Sequence, residues 1–255
     1  ASNTGVGMVR LNSTRRVEDL VLHYAPGVVT VGGRIQSGVI GPGCTNERYE
    51  DCRELAQFCI DSKLPLVIDA GALDLVKGLR DYADAHSRSL SRAILTPHHG
   101  EAARLLTQLG SPRSRADIDA DPAASAKELA LLTGAVILLK SSTTVCSYLH
   151  HDQGSRTQEI VSIPQETPWA GVAGSGDVLA GAVAGIAAGF QARAERRQGN
   201  PSISEAEYAT LASLGAWLHA QAAFRAGVGS QGHAHPIQAI DIARALPEII
   251  GELCS

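Results

Sequence analysis

Residues 92–110, RAILTPHHGEAARLLTQLG, change character halfway along. RAILTPHHGE (92–101) reads as a short buried strand running into a polar loop, and GEAARLLTQLG (100–110) reads as a helical stretch. The same step recurs elsewhere. GMVRL (7–11), GVVTV (27–31), GVIGPG (38–43), LPLVIDAG (64–71) and AVILLKSS (135–142) read as further buried strands, and helical patterns lie at 46–62 and 122–134. The second of these helices ends on Gly134, a common stop. Strands alternating with helices imply an α/β fold, a mainly parallel sheet covered by helices on both faces.

From Val145 to Ile163 the pattern becomes a hairpin: VCSYLHH and RTQEIVSI flank DQGS. Three helices are expected after it: the stretch following Asp177, then 204–227 and 236–249. The second of these carries Tyr208, Leu211, Leu214, Leu218 and Phe224 at helical spacing. The polar runs 111–121 and 191–203 read as surface loops, and no repeat or domain boundary interrupts residues 1–255, which are expected to form one domain.

Composition narrows the function classes. The chain has 255 residues, 44% hydrophobic and 19% charged, with a formal charge of −4. That balance argues against a nucleic-acid or anionic-membrane partner. Five cysteines without a C-x-x-C pair fit a reducing compartment and no disulfide framework, and the longest apolar stretch, Val178 to Phe190, is too short to span a bilayer. A cytoplasmic protein is expected. The His-rich pairs at 150–151 and 233–235 lack a third ligand at zinc spacing, so no protein-held metal site is expected.

In open α/β sheets, ligands bind beyond the carboxyl ends of the strands. GPG (41–43), DAGAL (69–73), TPHHGE (96–101) and KSSTT (140–144) fall on that edge, and AGSGDVLAGAVAGIAAG (173–189) opens a helix that can face it. A glycine-rich turn at a helix start aims unpaired N–H groups and the positive end of the helix dipole at one spot, which suits phosphate. Asp177 there is either a helix cap or a group with work to do as a base or toward a metal ion. Lys140, Ser141, Ser142, Thr143 and Thr144 offer a cation, hydroxyls and backbone donors to a nucleotide. Asp69 is equally a helix cap or a group that orients water or metal. Gly43 either lets backbone approach a substrate or simply turns the chain, and His99 is expected to be exposed.

These segments also resemble a known family. TPWAGVAGSGDVLAGAVAGIAAG (167–189), LTPHHGEAARLL (95–106), VIDAGAL (67–73), VIGPG (39–43) and LLKSSTT (138–144) are similar, in order and spacing, to segments of the ADP/ATP-dependent NAD(P)H-hydrate dehydratases, members of the ribokinase-like superfamily. The chain departs from that pattern at Thr167, Trp169 and Ala173, at Ser141 and Ser142 after Lys140, and at Gly71. TGVGMVRL (4–11) resembles the family's second strand, so the first strand and helix are expected to be absent from this sequence.

The resemblance implies a ribokinase-like three-layer fold and repair of hydrated NADH or NADPH, with ADP or ATP as co-substrate and Mg²⁺ as cofactor. It implies Asp177 as catalytic base, Gly43, His98 and Asp177 as substrate contacts, and Lys140, Ser141, Ser142, Thr143, Thr144, Gly174, Ser175 and Gly176 as nucleotide contacts. It also implies a homotetramer. A small-molecule kinase of the same superfamily uses the same anion hole and base; the His98 segment is what favours the dehydratase. A nucleotide-binding protein without catalysis is the third reading.

Overall fold

The computed structural model describes residues 1–152, 155–198, 203–228 and 232–254. Its centre is a six-stranded sheet in sequential order, from β1 (Gly38–Ile40) through β2 (Leu66–Ile68), β3 (Ala93–Leu95), β4 (Val136–Leu139) and β5 (Thr143–Asp152) to β6 (Ser155–Pro164). The first four strands pair in parallel, with Gly38 opposite Leu66, Leu66 opposite Ala93 and Ile94 opposite Val136. β5 and β6 then add antiparallel, forming the expected hairpin; Gln153 and Gly154 of its DQGS turn lie outside the described residues.

Both faces of β2, β3 and β4 are covered, which is why these strands are apolar at every position rather than at every second one, while edge strand β1 leaves Val39 exposed. Leu66, Ile68, Leu95, Ile137 and Leu139 pack in one cluster with α2 (Tyr49–Asp61), α3 (Val76–Ala85), α4 (His99–Gln108), α5 (Arg115–Ala120) and α6 (Pro122–Thr133). Their neighbours Val67, Ile94, Val136 and Leu138 face the other way, onto α7 (Ser175–Gln198) and α8 (Glu205–Gly227). α9 (Ala239–Cys254) packs outside these through Ile242, Leu246 and Ile249. This is a three-layer α/β sandwich, mainly parallel, as the alternation implied.

Local chemistry sets several boundaries. Asp121 caps α6 by accepting from the Ala124 N–H (2.9 Å), Pro122 occupies the first turn, and Gly134 ends it at φ +69°. Within the run expected to be loop at 111–121, Ser114 and Asp117 form a reciprocal capping box that nucleates α5. The loop expected at 191–203 is likewise helical as far as Gln198, where α7 ends; residues 199–202 lie outside the described residues.

The runs 7–11 and 27–31 do not join the sheet. They meet in a single parallel bridge, Arg10 to Val29, with Val29 N–H donating to Val9 O and Leu11 N–H donating to Val29 O, both at 2.9 Å. Between them lies α1 (Arg15–Tyr24), which has no buried residue. This unit is only thinly covered: Val28 is buried, but Met8 is 55% exposed and Val31 71%. With so little burial to reward further pairing, the ladder stops at one bridge.

Candidate functional site

Four strand ends and one helix start converge on the carboxyl edge of the parallel strands. β1 runs into Gly41–Cys44, a turn closed by the Cys44 N–H donating to Gly41 O (2.8 Å). Gly41 sits at φ +118°, and a Cβ there would lie 1.7 Å from the Asp69 carbonyl oxygen, so only glycine fits. Gly43 also has positive φ, at +69°, but faces open space.

β2 delivers Asp69, whose side chain is 1% exposed. It caps no helix. Instead its Oδ1 accepts from Thr96 Oγ1 (2.8 Å) at the end of β3 and from Lys140 Nζ (2.6 Å) at the end of β4. Lys140 is held in register by its own N–H donating to Pro97 O (2.8 Å), and its ammonium also lies 4.0 Å from Glu101 Oε2. A buried charge pair of this kind persists because each ion is satisfied by the other and by further hydrogen bonds.

The start of α7 completes the cluster. Gly174 takes φ +85°, the Ser175 N–H donates to Val172 O (3.1 Å) and closes the turn, and the Val178 N–H donates back to Gly174 O (3.1 Å). A Cβ on Gly176 would stand 3.2 Å from Lys140 Nζ and 3.9 Å from Asp69 Oδ2. The missing side chain therefore keeps the ammonium against the helix start. Asp177 stands on this same turn. Partial burial raises its pKa above the usual carboxylate value, the Asp69 charge adds to the rise, and Lys140 opposes it.

From behind, His219 of α8 holds the turn in place. Its Nε2 lies 3.0 Å from Ser175 Oγ and 3.1 Å from Ser175 O. Burial pushes its pKa down to about 4; the Ser175 carbonyl opposes this and the Lys140 charge adds to it. Nothing in the sequence singled out this histidine, which lies 44 residues from Ser175 among the alanines of a helix.

The remaining expected residues are distributed unevenly. His98 lies at the cleft, bridged to Lys140 in the backbone, but its ring is the cap of α4: Nδ1 accepts from the N–H groups of Gly100 (3.0 Å) and Glu101 (3.2 Å). The Glu101 carboxylate returns the contact by accepting from the His98 N–H (2.8 Å). With Nδ1 an acceptor, the ring proton sits on Nε2, and the side chain remains 58% exposed. His99 is not exposed as expected; it is half-buried and its Nδ1 bonds to Asp119. Ser141 Oγ donates to Thr143 O (2.6 Å) and accepts from the Thr143 N–H (3.2 Å), while Thr144 is buried. Ser142 and Thr143 are exposed.

The arrangement offers an anion seat at a helix start, one ammonium, and a carboxylate beside both. Among the described residues, no three potential ligands gather to hold a metal ion. Asp69, Glu101 and Asp177 together outnumber the Lys140 charge, so a polyphosphate entering here brings more negative charge to an already acidic spot. A divalent cation carried by the phosphates and water fits that donor set.

Comparison with known proteins points the same way. The sequence pattern of the NAD(P)H-hydrate dehydratase family matches residues 1–247. A bifunctional NAD(P)H-hydrate repair enzyme of Mycobacterium tuberculosis is 34% identical over 187 residues, covering 71% of this chain and 35% of the relative. An ADP-dependent (S)-NAD(P)H-hydrate dehydratase of Neisseria meningitidis is 34% identical over 163 residues, 62% of this chain and 44% of that protein. The chain thus spans less than half the length of these curated relatives. Among solved structures, the Bacillus subtilis ADP/ATP-dependent NAD(P)H-hydrate dehydratase co-crystallised with ATP and Mg²⁺ superposes with a TM-score of 0.69 at 21% identity, over 99% of this chain and 81% of that one. The fold is that of the ribokinase-like dehydratases, and the chain belongs to the NAD(P)H-hydrate dehydratase family.

Proposed function

We propose that the chain dehydrates the S epimer of hydrated NADH or NADPH at the expense of ADP or ATP, restoring the reduced nicotinamide and releasing AMP or ADP with phosphate. The observation that carries this reading is Asp177 on the first turn of α7, beside Lys140 and facing the carboxyl ends of the parallel strands. Asp177 accepts the proton of the ring hydroxyl as that oxygen attacks the terminal phosphoryl group. The N–H groups at Gly174 and Gly176 meet the charge that develops on the transferring group, while the Ser175 N–H holds the turn through Val172 O. The phosphorylated hydroxyl then departs as phosphate, driven by the ring nitrogen's lone pair, and loss of a ring proton restores the double bond.

Lys140 to Thr144 lines the nucleotide side. Ser142 and Thr143 are positioned to serve it directly, and Ser141 shapes the turn through its bonds to Thr143. Gly43 and His98 line the substrate side. His98 keeps Nδ1 on its own helix, so only its Nε2–H is left to offer. Mg²⁺, when bound with the nucleotide, neutralises charge between the phosphates. We place the enzyme in the cytoplasm, as a homo-oligomer of the tetrameric kind.

The test is to incubate the chain with hydrated NADH, Mg²⁺ and either nucleotide, and to follow the return of reduced-nicotinamide absorbance. Stoichiometric release of free phosphate accompanies it on this reading. A product that retains the phosphoryl group makes the protein a kinase instead.

A further inference from the structure

The turn that brings β1 into the site carries a thiol that meets a second one. Cys44 ends the Gly41–Cys44 turn, and Cys52 lies near the start of α2. Their Sγ atoms are 3.0 Å apart, inside the normal contact of two sulfur atoms, and both side chains are half-buried rather than sealed in the core. The other three cysteines are unlike them: Cys59 and Cys146 are buried, and Cys254 is exposed near the end of the chain. Neither Cys44 nor Cys52 has a part in the chemistry described above.

We propose that Cys44 and Cys52 are a thiol–disulfide modification site, oxidised by a low-molecular-weight disulfide of the glutathione class to a bond that pins the Gly41–Cys44 turn to α2. One protein thiol loses its proton, attacks the small disulfide and expels one small thiolate. The second protein thiol, deprotonated in turn, attacks the mixed disulfide and expels the other. Two electrons pass to the oxidant, and the two protons end on the released thiols. A disulfide needs sulfurs at about 2.05 Å, so the gap closes with a small shift of one side chain. Burial and the Cys52 contacts push the Cys44 pKa up to about 12, with Arg48 opposing, so the reaction is slow at neutral pH and faster at alkaline pH.

The tie reaches the site because the turn is packed on the segment that carries Asp69. Gly41 has no room for a Cβ against the Asp69 carbonyl, and a Cβ on Gly71 would stand 2.5 Å from Cys44 O. Fixing Cys44 therefore fixes the strand end beside Asp69. This inference stands apart from the proposed reaction, since thiol chemistry and backbone mobility are read without any turnover.

The experiment takes the full chain with Cys254→Ser and treats it with oxidised glutathione at mildly alkaline pH. Trypsin without reduction cuts after Arg34, Arg48 and Arg53, which places the two cysteines on separate peptides, 35–48 and 49–53. The expected result is a mass lower by two hydrogens, those two peptides linked, and several-fold slower amide exchange across residues 41–44, all reversed by dithiothreitol. With Cys52→Ser added, Cys44 is expected to retain a single glutathione. Stable glutathione on both thiols of the chain without that substitution, a link to Cys59 or Cys146, or thiols that stay free overturns the site. Linked peptides with unchanged exchange at 41–44 overturn the restraint on the turn.

Discussion

Asp177 stands where a helix start, a buried ion pair and a second carboxylate meet, and one substitution separates its two readings. Asp177 is the third residue of α7 rather than its cap, so a purely structural role is a charge on the first helical turn, and Asp177→Asn then costs about 1 kcal/mol of stability or less with turnover nearly unchanged. If the carboxylate is the base, turnover of the hydrate falls by about 10²–10⁴-fold. Nucleotide affinity by calorimetry is retained or tightened, because a charge facing phosphate has gone. Wild-type turnover in this variant returns Asp177 to a structural role. The same residue sets the pH profile. Its raised pKa means that activity drops on the acid side as pH falls through a value above the 3.8 of an ordinary aspartate. Asp69→Asn removes one of the charges that raise it, so the acid limb of kcat moves to lower pH; a shift to higher pH contradicts the coupling. Asp177 and Lys140 were legible because glycine-rich turns and polar strand ends mark an α/β cleft. The ring of His98 was legible only by type. Its use as a cap was written in the spacing of His98 to Glu101, which is that of a capping box. His219 had no such mark, because only the packing of α8 against α7 brings it to Ser175.

That packing of α7 on α8 is where the elements carry the site, and it yields predictions of both signs. His219 has a folded-state pKa of about 4 against an ordinary 6.5. A histidine lowered in this way contributes stability that is fully present above the ordinary value and is lost as pH falls toward the lowered one. The shift corresponds to a loss of up to roughly 3 kcal/mol across that window. Urea unfolding at a series of pH values is expected to show this loss in the native chain and to lack it in His219→Gln. Parallel slopes in the two proteins refute it. Glycines on the two helices behave differently from one another. A Cβ at Gly215 would lie 2.6 Å from Val183 Cγ2 and 3.3 Å from Val183 Cα, a stiff β-branched neighbour. Overpacking there costs about 1–3 kcal/mol, and the better helix propensity of Ala returns up to about 1 kcal/mol, so Gly215→Ala destabilises. Gly189→Ala on α7 meets nothing within 4 Å and is expected to stabilise by up to about 1 kcal/mol. The long helices were readable from their apolar runs. α1 and α5 were not, since one buries no residue fully and the other is a six-residue turn set by its cap.

For the molecule as a whole, alternation of strands and helices was enough to read the layered sheet. The misplaced runs at 7–11 and 27–31 show its limit: an apolar run becomes a strand of the sheet only where layers exist to cover it. The converse appears on α8. Tyr208, Leu211 and Leu218 from its apolar set are buried, but Leu214 and Phe224 are not, being 37% and 46% exposed. Trp217 at 37% and Leu253 of α9 at 54% extend the same outer surface, and Trp217, Phe224 and Leu253 line a shallow groove with Ile249. The groove mixes these apolar side chains with Gln221, Arg225 and Glu252, and on the proposed homo-oligomer it is the surface we assign to the subunit contact, where aromatic residues would dominate the energetics. A second copy of this chain is the occupant that agrees with the proposed homo-oligomer. Sedimentation velocity is therefore expected to give a multiple of the 26.6 kDa chain mass. Trp217→Glu places a charge in the middle of the patch and is expected to shift the distribution to smaller species while leaving far-ultraviolet circular dichroism unchanged. An assembly that persists in this variant moves the interface elsewhere on the molecule, and a native chain that sediments at the single-chain mass removes the homo-oligomer altogether.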